Sequence, residues 1–174
     1  MSQVENHLPE VYLQPGEAYL ARKPTIIRTI LGSCVGVTFW SARLSAGALC
    51  HALLPRCPGN VPADLGSTGG PRYVDFAIRE LARQFDRLGA SRREVQVKVF
   101  GGADVLPVSA KCARPTIGRQ NCEMAIEVLK DEGFEVIASS LGGTSGLSIQ
   151  FHTGTGEVRV RRLFHARFEE DVDG

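Results

Sequence analysis

The sequence predicts an α+β fold: a layered α/β/β sandwich of mixed or antiparallel sheets, with two helices on one face. Strand-like segments, recognised by β-branched composition or two-residue alternation, outnumber the segments with helical spacing. Two helical segments are enough to cover one face of a sheet. A length of 174 residues is typical of one domain with a sizeable core, so residues 1–174 are interpreted as a single domain.

The first half of the chain contains three predicted strands and one helix. Residues 1–16 are expected to be an irregular lead-in because prolines interrupt them. A turn at 41–47 favours antiparallel pairing of the strands on its two sides. A Gly- and Pro-rich loop at 56–71 separates these strands from the helix. The predicted elements are strands at 25–31, 35–40 and 48–54 and a helix from Val74 to Leu88 that ends at Gly89.

The second half repeats the mixture of strands and helix. A helix places Cys122, Ala125, Ile126 and Leu129 on one side and closes at Gly133. Residues 165–174 are expected to be a flexible acidic tail. The predicted strands are 95–100, 134–140 and a hairpin of 147–151 with 157–164.

Composition excludes several classes of function. The net charge of +1 carries no electrostatic footprint for nucleic acid or for an anionic membrane surface. No apolar run approaches the ~20 residues that cross a bilayer, and the charged, proline-containing N-terminus is unlike a signal peptide. We therefore expect a cytoplasmic protein without membrane insertion. Its five cysteines, an odd number without a C-x-x-C pair, are expected to be reduced.

One cysteine and one histidine form a candidate catalytic pair. Cys34 follows Gly32-Ser33 at the head of a predicted strand, and His51 lies seventeen residues later in the next strand. Pairing outward from the turn at 41–47 brings both residues to neighbouring strand ends, within reach of contact. A catalytic thiol needs a base or a cation to form its thiolate, and an imidazole can be that base.

Other interpretations of these residues stay open at this point. An isolated cysteine is more often a small buried hydrophobe than a nucleophile, and a histidine on an apolar strand is more often a hydrogen-bonded core residue. A zinc site of Cys50, His51 and Cys57 is disfavoured because adjacent strand residues point to opposite faces of a sheet. We expect neither a metal nor another cofactor.

Short motifs in a fixed order give the chain a family resemblance. It resembles the CheD family of bacterial chemoreceptor glutamine deamidases from about Glu17 to Leu163, which is most of its length. The motifs that carry the resemblance are "LGSCVGV", "GALCHALLP", "RYVDFAIRELARQFDRLGA", "KVFGGADV", "IGRQN" and "SLGGTSG".

The resemblance implies a sandwich like that of the deamidating cytotoxic necrotising toxins and a Cys-His pair completed by a threonine. Carried over to this chain, Cys34 is the nucleophile and His51 is the base. Thr29 is the candidate threonine; the position before it holds Arg28, and Thr25 is a more distant substitute.

The implied reaction converts chemoreceptor glutamines to glutamates through a thioester on the cysteine, with glutamyl methyl ester hydrolysis as a side activity of the same chemistry. Backbone N–H groups near Ser33 or in the Gly101-Gly102 loop are expected to bind the oxyanion. Gly32 allows the sharp turn that presents the thiol.

The implied substrate is a helical segment of a chemoreceptor, and a CheC-type phosphatase is the implied partner. By loop position, residues 58–71 and 142–146 are expected to form the docking rim. The chain departs from the family pattern at Leu147, where an arginine is usual, and at Ser140, where an aspartate is usual. These departures keep open an alternative: a non-catalytic adaptor that binds the phosphatase or the receptor.

Overall fold

The computed structural model describes residues 7–59, 70–106 and 113–164. The predicted tail at 165–174 and most of the expected docking loop at 58–71 lie outside these ranges. None of the helices in the described ranges is both long enough and apolar enough to cross a membrane.

Nine strands in the described ranges form two mixed sheets. Four strands make one sheet in the order β1-β3-β8-β9, and five make the other in the order β2-β5-β4-β6-β7. The strands are β1 Glu10–Tyr12, β2 Ala18–Ala21, β3 Ile26–Leu31, β4 Val35–Ser41, β5 Ala46–Ala52, β6 Gln96–Gly101, β7 Val136–Leu141, β8 Gly146–His152 and β9 Val158–Leu163. Pairs β1-β3 and β6-β7 are parallel, and the other pairs are antiparallel.

The spacing of apolar residues and the residues at the helix ends account for two α-helices. Helix α1, Val74–Arg87, turns Ala77, Ile78, Leu81 and Phe85 inward, and Gly89 just beyond it has a φ of +79°, as a helix-ending glycine should. Helix α2, Ile117–Asp131, begins at Thr116, whose hydroxyl accepts a hydrogen bond from the Arg119 N–H.

The five-stranded sheet is the middle layer of three. Its residues Val35, Val37 and Phe39 belong to the core shared with α1 and α2. On its other face, Leu49 packs with Ile27 and Phe151 of the four-stranded sheet. A strand covered on both faces buries every side chain, so β4 and β5 read as continuous apolar segments rather than as alternating ones. The predicted α/β/β sandwich with both helices on one face is confirmed.

The differences from the sequence prediction concern short or redirected strands. Residues 10–12, within the expected irregular lead-in, form β1, and 18–21 form β2. Three or four residues between prolines and turns are too short to show a periodic pattern. The third predicted strand, 48–54, is β5 at 46–52, because the N–H groups of Leu53 and Leu54 leave the sheet and donate to the Arg72 carbonyl.

Candidate active site

Cys34 lies in the bend that joins β3 of one sheet to β4 of the other. Its side chain is half-buried and packs against the cluster of Leu31, Phe100, Leu147 and Ile149, which fills the space between the two sheets. The bend is held from outside: the Gly102 N–H donates to the Cys34 carbonyl at 2.8 Å, and the Ala103 N–H donates to the Gly32 carbonyl at 2.9 Å.

Glycine is required where the loop after β6 supports this bend. Gly101 and Gly102 have φ values of +103° and +66°, which side-chain-bearing residues rarely adopt. A Cβ at Gly101 would lie 2.2 Å from the Cys34 carbonyl oxygen, and one at Gly102 would lie 2.0 Å from the Cys122 sulfur. Gly101 therefore allows the loop to approach the Cys34 carbonyl, and Gly102 allows it to approach helix α2.

His51 reaches the same face of the middle sheet from β5. It pairs in register with Gly36, two residues after Cys34, so the cysteine and the histidine are diagonal neighbours on adjacent strands. Cys50 faces the helices and His51 faces the four-stranded sheet, where its side chain is 2% exposed. The backbone N–H of His51 donates to the Glu17 carbonyl of β2's leading turn at 2.9 Å.

Thr29 determines the tautomer of His51. The Thr29 hydroxyl donates its only proton to the Leu13 carbonyl at 2.8 Å. Its oxygen lies 2.7 Å from Nδ1 of His51, so it must accept the proton that Nδ1 carries. The neutral ring therefore has a bare Nε2, which is buried and has no hydrogen-bond partner among the described residues. That lone pair makes Nε2 a base.

Both members of the pair are electrically neutral at rest. Burial lowers the pKa of His51 to about 4, against a smaller opposing effect of the Glu17 carboxylate. Burial raises the pKa of the Cys34 thiol above its usual range, while the residue's own backbone N–H acts in the opposite direction. The thiol and the imidazole lie on neighbouring strands, and both neutral forms are those from which a proton can move from sulfur to nitrogen during nucleophilic attack.

The N–H of Cys34 is a candidate donor to a developing oxyanion. The Cys34 N–H faces its own sulfur and donates to no other residue in the described ranges. The Gly102 N–H is already donated to the Cys34 carbonyl, so Gly102 holds the bend rather than offering a free donor.

Several other residues considered in the sequence lie elsewhere. Thr25 is at the opposite end of β3, where its hydroxyl donates to the Lys23 carbonyl. The Arg28 side chain lies beside Glu10 and Gln150 and makes no contact with His51. Leu147 is buried between the sheets among apolar side chains, an environment that favours leucine over an unpaired charge.

Two contacts in the site carried no recognisable sequence signal. The Leu13 carbonyl is a backbone group, which any residue would supply. Asn121 of α2 is fully buried and donates to the carbonyls of Ser33 and Leu53, both at 2.9 Å. The sequence shows that Asn121 belongs to the "IGRQN" segment, but it does not show which strand ends the side chain contacts.

The structure offers an apolar groove beside the bend and no metal centre within the ranges it describes. The groove has a volume of about 350 Å³ and extends from Ser33 past Val105 and Leu106 to Ile117. No group of three or more His, Cys, Asp or Glu side chains in those ranges is arranged to hold a metal ion.

Comparisons with known proteins identify the family of the chain. "Probable chemoreceptor glutamine deamidase CheD 2" of Geobacter sulfurreducens is 45% identical over 156 residues, covering 90% of this chain and 91% of that protein. "Probable chemoreceptor glutamine deamidase CheD" of Maridesulfovibrio salexigens is 38% identical over 167 residues, covering 94% and 97%.

Among solved structures, Bacillus licheniformis hypothetical protein YfiH is similar with a TM-score of 0.47 at 13% identity, over 71% of this chain and about half (49%) of that one. The family model described as CheD chemotactic sensory transduction matches residues 57–162, and the relatives extend the similarity over most of the remaining chain. The chain belongs to the CheD family.

Proposed function

We propose that this protein is a chemoreceptor glutamine deamidase with Cys34 as nucleophile, His51 as general base and Thr29 as the residue that orients the imidazole. Family membership supports the reaction, since its relatives are named for it. One observation carries the assignment of residues. The Thr29 hydroxyl, with its proton committed to Leu13, leaves the lone pair of His51 on Nε2.

The first half of the reaction forms a thioester. Nε2 of His51 takes the Cys34 proton as the sulfur attacks the side-chain amide carbon of the glutamine. The carbonyl oxygen becomes an oxyanion, and the Cys34 N–H is the donor proposed to bind it. A donor of this kind stabilises a transition state by about 3 kcal/mol. The imidazolium then returns its proton to the leaving nitrogen, and the carbon–nitrogen bond breaks to release ammonia.

The second half hydrolyses the thioester. His51, again neutral, takes a proton from a water molecule that attacks the same carbon. The carbon–sulfur bond breaks, the proton returns to sulfur, and glutamate leaves. The same sequence on a glutamyl methyl ester would release methanol, which is the proposed side activity. Neither half needs a metal or another cofactor.

The substrate proposed is a glutamine presented by a helical chemoreceptor segment. Its amide would enter beside the half-buried Cys34, and the neighbouring apolar groove would hold non-reacting side chains of the same segment. Leu106 and Ile117 at the groove are 76% and 43% exposed, so a bound protein would remove apolar surface from water there. A CheC-type phosphatase is proposed as a second partner that binds over the same surface around Cys34 and the groove.

The test is mass spectrometry of chemoreceptor cytoplasmic domains after incubation with the protein. Wild type is expected to raise the mass of glutamine-containing peptides by about 1 Da per site, as hydrolysis of an amide requires. Cys34→Ala and His51→Ala are expected to abolish the shift without loss of fold. Cys57→Ala, which removes another partly exposed thiol, is the matched control and should keep full activity.

A mass shift that survives Cys34→Ala would remove the proposed nucleophile. Tight receptor binding without any shift in wild type would favour the adaptor function instead.

A further inference from the structure

Asn121 connects the two strand ends that carry the candidate pair. Its side-chain amide donates one proton to the carbonyl of Ser33, the residue before Cys34. It donates the other to the carbonyl of Leu53, two residues after His51. Because both bonds come from one rigid planar amide, they link the two strands at a defined separation.

Asn121 joins the two strands just beyond the last backbone pair between β4 and β5. The register between β4 and β5 ends at Val35 opposite Ala52, so no strand pairing holds the next residues together. The Leu53 N–H has turned away to the Arg72 carbonyl. The two hydrogen bonds of Asn121 therefore join the strand ends beside Cys34, where backbone pairing has stopped.

Helix α2 can deliver this amide because its first turn lies against the loop after β6. A Cβ at Gly118 would come within 2.6 Å of the Gly102 carbonyl oxygen, so only glycine permits this approach. Asn121 is three residues further on and lies on the same face of the helix. Gly102 and Asn121 thus hold the bend around Cys34 from two sides.

One polar atom of Asn121 is left without a hydrogen bond. Its Oδ1 is buried and has no hydrogen-bond partner among the described residues, and an unpaired buried acceptor is unfavourable because it loses its hydration. Reversing the amide would place Oδ1 against two carbonyl oxygens, so the orientation is determined. A buried acceptor without a partner in a native fold calls for an explanation, and the position of Asn121 next to the candidate pair supplies one.

We propose that Asn121 is a positioning residue: by linking the carbonyls of Ser33 and Leu53 it sets the separation of the Cys34 sulfur from Nε2 of His51. The proposal rests on the proposed function of that pair, but it concerns the geometry of the free protein. Removing the amide would let the two strand ends separate, and the thiol would lose the assistance of the imidazole.

The test is a double-mutant cycle on the alkylation rate of Cys34, followed by iodoacetamide labelling and peptide mass spectrometry at pH 7. Asn121→Ala and His51→Ala are each expected to slow alkylation at least about tenfold. The double variant should be no slower than either single variant, because both remove the same assistance. No receptor is needed, so a failure of the deamidation assay would not affect this result.

Val128→Ala is the matched control, since it removes buried volume from the same helix two turns away and should leave the rate unchanged. Asn121→Ser, which keeps one donor, should give an intermediate rate and covers the case that Asn121→Ala does not fold. In the deamidation assay Asn121→Ala should lower kcat far more than it changes KM. Wild-type alkylation in the Asn121 variants, or effects of Asn121→Ala and His51→Ala that multiply, would overturn the proposal.

Discussion

At the scale of single residues, the chemistry depends on where one proton lies. Thr29 can either donate to His51 or accept from it, and the Leu13 carbonyl decides between these by taking the hydroxyl proton. The imidazole is then held as the tautomer with a free Nε2. In the proposed site, Thr29 takes the orienting role that an aspartate has in other triads.

Replacing Thr29 with valine keeps the volume and removes the hydroxyl. We expect kcat for deamidation to fall about 10- to 100-fold, because the ring loses the hydrogen bond that orients it. Thr29→Ser should retain most activity. Thr25→Val, directly before the same strand and outside the site, is the matched control. Equal kcat values for wild type and Thr29→Val, measured by ammonia release, would remove Thr29 from the site.

The lowered pKa of His51 predicts an unusual acid limb. The base must be neutral, and burial holds its pKa near 4. The profile of kcat/KM against pH reports groups of the free enzyme. It should therefore stay flat as the pH falls from 7 to about 5 and decline only near 4. An acid limb centred near pH 6.5, the ordinary value for histidine, would contradict a buried base.

At the scale of elements, three neighbouring segments of the middle sheet form the candidate site. The bend between β3 and β4 presents the thiol, β5 presents the imidazole, and the loop after β6 supports the bend through Gly102. The regular pairing of β4 with β5 stops at Val35 and Ala52, so the bend at Cys34 lies just outside it. Close backbone contacts replace the regular ladder, and such contacts tolerate no extra atoms.

Two glycines with similar backbone angles, Gly102 after β6 and Gly142 after β7, should tolerate alanine to different degrees. Gly102 and Gly142 both have positive φ, +66° and +75°. A Cβ at Gly102 meets the Cys122 sulfur and the Gly118 carbonyl, whereas one at Gly142 meets nothing within 4 Å.

Gly142→Ala should lower the free energy of unfolding by about 1–2 kcal/mol, the conformational cost alone. Gly102→Ala should cost clearly more and should also lower kcat. Urea unfolding of both variants gives the comparison, and equal destabilisation would show that the contacts around Gly102 are loose.

At the scale of the whole molecule, the proposed catalytic pair lies between the two sheets. His51 belongs to the middle sheet and Cys34 to the bend that enters it, whereas Thr29, which contacts both Leu13 and His51, belongs to the four-stranded sheet. The packing that forms the core therefore also orients the base. The buried imidazole links the stability of the fold to pH as well.

Stability should fall on acidification through His51. Its pKa is about 4 when folded and 6.5 when unfolded, so the unfolded chain binds more protons between these values. The contribution is fully present above pH 6.5 and is lost as the pH falls toward 4. It amounts to about 2 kcal/mol between pH 7 and 5.

Urea unfolding of wild type and His51→Gln at both pH values measures this contribution. The loss between pH 7 and 5 should be smaller in the variant by that amount. An identical loss in both proteins would contradict the assignment to His51.

Most of the fold could be predicted from local pattern. Both helices, the strands near 26–41 and the final hairpin carry their own periodicity and end signals, so local rules are sufficient for them. Strands β1 and β2 could not be found this way, because segments of three and four residues are held by their partners rather than by their own pattern. The end of β5 was misplaced because Arg72, distant in sequence, redirects Leu53.

The sequence by itself determined the family, the α/β/β class and the adjacency of Cys34 and His51, since a short turn fixes the register of two consecutive strands. The tertiary structure alone decided which threonine faces the histidine, which nitrogen is bare and which helix side chain joins the strand ends. Those contacts connect Thr29 to Leu13 and His51, and Asn121 to Ser33 and Leu53. They depend on how one layer lies against the next, and no local pattern records that packing.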